Sequence, residues 1–265
     1  GYMGYDLQVD RKAMKGCILN SRILWFFSNA CMCLKDERLL PYARHAFLFL
    51  RDFCLDQEFG GVFWSVRFNG EVEDGTKHVY NQAFAVYALS SYYAASGDEE
   101  ALKIGWKLFD LIEERGKDEG GYLEAFNRDF RTSAGNDKLS ENGVMAERTM
   151  NTLLHVFEAY TELYRVTKDE RVVKPLKEML LLFSDKVYNP KLHRQEEFFD
   201  REWHSLIDLY SYGHDIETAW LIDRGCEVLG DAKITEKLLE ITKDLAANVY
   251  RTAYHKHSLW NECEK

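Results

Sequence analysis

Residues 211–220, SYGHDIETAW, set a histidine, an aspartate, a glutamate and a tryptophan within seven residues. Histidine titrates nearest neutral pH, so it can both give and take a proton there. His214 and Glu217 are three apart and share one face of a helix. Similar sets occur elsewhere. Arg22 is followed by Trp25, Tyr80 by Gln82 and Phe84, and Asn151 by His155. Tyr80 and Phe84 are four apart, as are Asn151 and His155, so each pair also shares a face. Together these groups offer an acid/base, a guanidinium that can hold a developing negative charge, and aromatic walls. Each has a structural alternative. His214 can cap a helix, His155 can be a buried neutral imidazole bonded to a backbone carbonyl, and Arg22 can pair with an acid on a neighbouring helix. Trp25 and Trp220 can be core. What favours function is recurrence of polar and aromatic residues at equivalent places.

Those places are defined by a repeat. Four stretches, starting near Asn20, Tyr80, Asn151 and His214, each read as helix, short turn, helix. Their starts are roughly 60 to 70 residues apart, the size of a helical hairpin with a connecting excursion. The turns KDERL, GDEEA, KDERV and GDAKI fall at matching points and supply capping aspartates. The second helix of each hairpin is amphipathic, as Leu102, Trp106, Phe109 and Ile112 show. The first is apolar over most of its surface, which predicts burial. EFGGVFWSV and EGGYLEAF predict short β-hairpin excursions back to the next first helix. Stacked hairpins of this kind predict an all-α toroid, an (α/α)6 barrel, forming one domain over residues 1–265. Four hairpins are visible where such barrels have about six. The barrel is therefore expected to continue before Gly1 and beyond Lys265.

The net charge of −10 over 265 residues argues against nucleic acid as a partner. No apolar run is expected to span a membrane, and no signal peptide is visible. The six cysteines lack paired spacing and read as reduced thiols of a cytoplasmic protein. No HExxH, P-loop, GxGxxG or GxSxG motif appears. His193 and His204 with Glu196 and Glu197 imitate a metal site but lie in what reads as another excursion. A monomer or a homodimer is expected.

The segments KGCILNSRILWFFSNA, GGVFWSV, KHVYNQAFAVYALSSYY, GGYLEAFNRDF, MNTLLHVFEAYTELYRV and SYGHDIETAWLI carry a resemblance along nearly the whole chain. The chain resembles the N-acylglucosamine 2-epimerase superfamily, and within it most nearly the cellobiose 2-epimerases. The resemblance implies inversion of C2 of the reducing-end glucose unit of a β-1,4-linked disaccharide, with no metal or nucleotide cofactor. By motif, His214 matches a catalytic acid/base, Glu217 the glutamate beside it, and Arg22 an arginine near O1 and O2 of the sugar. Asn151 and His155 match sugar-binding and proton-handling positions. Trp220 lines the pocket, and Tyr80 and Phe84 offer aromatic faces for the pyranose rings. Leu153 stands where the family usually has a histidine. A second acid/base histidine is expected beyond Lys265. Competing readings are an aldose–ketose isomerase or N-acylglucosamine 2-epimerase acting on a monosaccharide, a glycoside hydrolase, and a non-catalytic helical scaffold. A hydrolase needs two facing carboxylates, and the helix starts offer mainly Glu217.

Overall fold

Eight α-helices, paired as four hairpins, make up most of the described residues. The computed structural model describes residues 2–132 and 144–264. The hairpins are α1 (Cys17–Leu34) with α2 (Leu40–Phe49), α3 (Val79–Ser96) with α4 (Glu99–Arg115), α5 (Met150–Thr167) with α6 (Val173–Leu182), and α7 (Tyr212–Leu229) with α8 (Ala232–Thr252). The four turn aspartates act as the sequence predicts. Asp36, Asp98, Asp169 and Asp231 each accept a hydrogen bond from the backbone N–H two residues on. Each cap satisfies one of the orphan donors at a helix start.

The chain divides into two compact units. The first is Gly1–Lys117 with Ala125–Ala134, and the second is Asp118–Glu124 with Gly135–Lys265. Each unit contains two hairpins, and the two are built in the same order. In the first hairpin of each, a lysine in the left-handed region ends the first helix (Lys35, Lys168) and a 3-10 turn follows. There the second helix closes in a π-turn, over Leu50–Cys54 or Phe183–Val187. In the second hairpin of each, a glycine (Gly97, Gly230) takes the left-handed position and the second helix is α-helical to its end. The repeat therefore has a period of two hairpins.

Within the first unit α1 packs beside α3, and within the second α5 packs beside α7. Twelve residues of α3 are buried, as expected of a helix apolar nearly all round. In α1 burial is confined to one stripe, Cys17, Ser21, Leu24, Ser28 and Cys31, while Leu19, Ile23 and Phe26 are exposed. By length and composition α1 is apolar enough to cross a membrane, which corrects the expectation that no such run exists. In α4 the buried stripe is Ala101, Gly105, Leu108, Phe109 and Ile112, so Leu102 and Trp106 lie at its edge. Gly225 marks a close approach of α7 to α5. A Cβ there would lie 2.1 Å from the Phe157 ring.

The excursions are short β-pairs that pin each helix start. Strand Ser65–Val66 pairs with Lys15–Gly16 before α1, Ala125–Phe126 with Lys77–His78 before α3, and Phe198–Phe199 with Arg148–Thr149 before α5. An aspartate in the preceding turn binds the cation two residues ahead of the next first helix. Asp56 pairs with Lys77 at 3.0 Å, and both side chains are fully buried. Asp118 pairs with Arg148, which is 1% exposed.

Candidate functional site

In the first unit the start of α1 meets the start of α3. Arg22 Nη2 donates to the Tyr80 hydroxyl at 2.8 Å. The guanidinium lies 4.5 Å from the centroid of Phe84, and the Tyr80 and Phe84 rings meet edge to face at 4.9 Å. One turn further along, Trp25 stacks on Tyr87 at 5.7 Å. Among the described residues Arg22 makes no ion pair with a carboxylate, so the neighbouring acid offered as its structural alternative is not what holds it. Its charge is held against aromatic faces, which suits a guanidinium better than a more strongly hydrated ammonium. Gln82 points elsewhere. Its Oε1 accepts from Val62 N at 2.6 Å and its Nε2 donates to Val62 O at 2.9 Å. Asn81 Nδ2 donates to Phe63 O at 2.8 Å. These two amides clamp the GGVF excursion to the helix start. Gly61 allows this with φ of +79° and room for Gln82, whose Oε1 would lie 2.9 Å from any Cβ.

In the second unit His214 is the third residue of α7. Its Nδ1 lies 3.0 Å from Ser211 Oγ and 3.3 Å from Glu197 Oε2. Glu197 is 4% exposed and comes from the excursion ahead of α7. The carboxylate at the ring nitrogen is therefore Glu197; Glu217 acts on His214 through its charge without a hydrogen bond. Nε2 has no hydrogen-bond partner among the described residues, and the side chain is 33% exposed. Asp215 is buried and accepts from Gln195 N at 2.9 Å, just as Gln82 clamps Val62. Trp220, two turns along α7, is 61% exposed. On α5, His155 is buried and its Nδ1 lies 2.8 Å from the carboxylate oxygen Oε2 of Glu158. Asn151 is half-buried with no side-chain hydrogen bond among the described residues, and Leu153 is buried in the core.

The electrostatics follow from burial and pairing. Burial alone would lower the His214 pKa, but Glu197, Glu217 and Glu262 together hold it above the ordinary histidine value. Burial pushes Glu197 up more than His214 pulls it down. Burial also raises Glu124 to about 7, although it accepts hydrogen bonds from the Thr149 and Thr152 hydroxyls at 2.8 and 2.9 Å. Asp215 is raised to about 7 for the same reason. Asp56 goes the other way: burial opposes ionisation, but Arg128 and Lys77 hold the carboxyl well below the usual range.

The stretch that imitates a metal site is dispersed by its partners. His193 meets Asp244 at 2.9 Å, His204 meets Asp200 at 2.8 Å, Glu196 meets Arg194 at 3.1 Å, and Glu197 meets His214. Sequence reasoning grouped Glu197 with these neighbours and missed its link to His214. A signal was present. Aligned by repeat, RQEEFF matches GYLEAF, which places Glu197 where Glu124 stands.

Known proteins agree with this architecture. The model of the N-acylglucosamine 2-epimerase (GlcNAc 2-epimerase) family matches residues 1–258. The chain is 53% identical over 281 residues to a cellobiose 2-epimerase of Eubacterium cellulosolvens, covering 100% of this chain and 69% of that protein. A solved sugar epimerase from a ruminal bacterium superposes with a TM-score of 0.97 at 47% identity, over 100% of this chain and 68% of that one. A cellobiose 2-epimerase from Bacillus thermoamylovorans superposes with a TM-score of 0.93 at 43% identity, over 100% of this chain and 68% of that one. The all-α, (α/α)6-barrel class read from the hairpin repeat is the fold class of the chain.

Proposed function

We propose that this chain, which belongs to the N-acylglucosamine 2-epimerase family, inverts C2 of the reducing-end glucose unit of a β-1,4-linked disaccharide such as cellobiose. The C2 proton of a closed pyranose is not acidic enough to remove. Ring opening places it alpha to an aldehyde, and its removal leaves an enediolate. A proton delivered to the opposite face, most simply by a second group, completes the inversion. His214 is proposed as one acid/base, working through Nε2. Such a group contributes roughly 10²–10⁴-fold. Arg22, oriented by Tyr80 and Phe84, is proposed to hold the negative charge that develops on O1. Asn151, His155 and Trp220 are proposed to bind the sugar, with His155 held by Glu158.

The observation that supports this most is the state of His214. It has one nitrogen engaged by a buried carboxylate and a serine, the other unengaged, and a charge environment that keeps its pKa up. The test is incubation of the natural full-length enzyme with cellobiose in D₂O. Deuterium at C2 of both cellobiose and its 2-epimer is expected. Epimer formed without deuterium, or no epimer, overturns the proposal; a ketose without epimer identifies an isomerase.

A further inference from the structure

We propose that Glu197 is the positioning residue of His214, holding the ring by its Nδ1–H so that Nε2 is the nitrogen that exchanges the substrate proton. This rests on His214 being an acid/base of the epimerase. Two oxygens approach Nδ1, Ser211 Oγ at 3.0 Å and Glu197 Oε2 at 3.3 Å. A bare Nδ1 lone pair would face a carboxylate oxygen, whereas Nδ1–H satisfies it. Glu197 is 4% exposed, and its other oxygen has no partner among the described residues. A buried carboxylate so poorly supplied with donors gains most from the one ring N–H within reach.

A second observation is independent of the histidine. Glu124 holds the same place one hairpin earlier. It accepts from Thr149, the N-cap of α5, at 2.8 Å, and from Thr152, the third residue of α5, at 2.9 Å. The corresponding residues of α7 are Ser211, its N-cap, and His214, its third residue. In both hairpins the excursion carboxylate reaches the third residue of the next first helix, Thr152 at 2.9 Å or His214 at 3.3 Å. At α5 it holds two hydroxyls; at α7 a histidine takes the third position and the carboxylate holds an imidazole. The seat is built into the repeat, with a threonine at the third position of α5 and a histidine at that of α7.

Other charges reach the same ring. Glu217 lies on its own helix, Glu262 comes from the strand paired with Leu209–Ser211, and Arg194 and Asp215 act on Glu197 and its surroundings. In the step itself the C2–H bond breaks, its electron pair remains on the substrate as the enediolate, and the proton goes to Nε2. The resulting imidazolium faces Glu197, which lowers the cost of the charge. In the reverse direction, from the 2-epimer, the second group removes the C2 proton and Nε2 delivers one to the enediolate from its own face.

The test uses the natural full-length enzyme with ring-¹⁵N histidine, observed by NMR across pH as wild type, Glu197→Gln and Ser211→Ala. The wild type is expected to show the Nδ1–H tautomer for neutral His214. Glu197→Gln is expected to lower the His214 titration midpoint by about one pH unit, a tenfold change, and to mix the tautomers. The acid limb of kcat should move with it, with KM changed less than about twofold. Ser211→Ala is expected to keep the tautomer and the midpoint. A wild-type Nε2–H tautomer overturns the proposal. So does an unchanged midpoint in Glu197→Gln, or loss of the tautomer in Ser211→Ala. Absence of C2 deuteration in the wild type defeats the epimerase reading instead, and the tautomer still reports on Glu197, so the two failures are distinguishable.

Discussion

Arg22 Nη2 donates a 2.8 Å hydrogen bond to the Tyr80 hydroxyl, tying the start of α1 to the start of α3. The bond fixes a guanidinium that would otherwise be free to rotate on an exposed stem. Arg22→Ala is therefore expected to lower kcat by about 10²–10³, the usual cost of removing a charge-stabilising donor. Arg22→Lys should recover little, because an ammonium neither stacks on Phe84 nor presents a planar fork. Tyr80→Phe should cost less than either. Steady-state kinetics on cellobiose with all three variants checks the order.

His214→Asn removes a group that gives and takes protons while keeping similar bulk. C2 proton exchange in D₂O should fall by roughly 10²–10⁴. Disaccharide binding, followed by calorimetry, should change little. An exchange rate within a few-fold of wild type contradicts the role given to His214.

Asp56 is fully buried between Lys77 and Arg128, at 3.0 and 2.8 Å. Asp56→Asn leaves Lys77 buried without its counter-charge, which costs about 3–5 kcal/mol for a broken buried pair. The pH dependence has a definite sign. The folded-state pKa of Asp56 is depressed, so its contribution is present above the unfolded value near 3.9 and is lost as pH falls below it. Urea unfolding at a series of acid pH values should show a shallower loss in the variant than in the wild type.

Glu124 behaves oppositely. Its folded pKa of about 7 lies above the unfolded value. The folded state binds the extra proton, so the contribution is complete below about pH 4 and is lost as pH rises toward 7. Glu124→Gln keeps the shape and can still bond to Thr149 and Thr152. It should raise stability at pH 8 relative to wild type and flatten the dependence between pH 5 and 8. Thermal unfolding at the two pH values measures this.

Gly225→Ala places a methyl 2.1 Å from the Phe157 ring where α7 crosses α5. Overpacking of this kind costs about 1–3 kcal/mol. Phe157→Leu should recover part of the loss in the double variant, because it removes the ring atoms that collide. A double-mutant cycle by chemical unfolding gives the coupling.

What was legible in the sequence was local. The four capping aspartates lie next to the backbone groups that they satisfy, so composition and spacing were enough to find them. The hairpin count has the same origin, because each hairpin carries its own periodicity and stop signal. The pairing of His214 was harder. Spacing along one helix suggests Glu217, three residues away, but the carboxylate at Nδ1 arrives from Glu197 on a returning strand. Gln82 misleads for a related reason. A polar residue at a helix start reads as a pocket group, yet it is consumed by the backbone of Val62. Both contacts depend on where the excursion folds back, and no helical periodicity encodes that. The exposed stripe of Leu19, Ile23 and Phe26 on α1 was also unforeseen, since apolar composition does not state how many neighbours a helix has.

The alternation of lysine-ended and glycine-ended first helices bears on how such a chain can change length. The hairpin with the 3-10 turn and π-ending differs in its joints from the hairpin whose second helix is α-helical to its end. Copying or deleting one hairpin would put two joints of the same kind in succession, whereas a pair carries both kinds and leaves the sequence of joints intact. The module that recombination can handle as a whole is therefore the pair. A split or permuted version of this chain should be opened at a pair boundary, outside the helical hairpins.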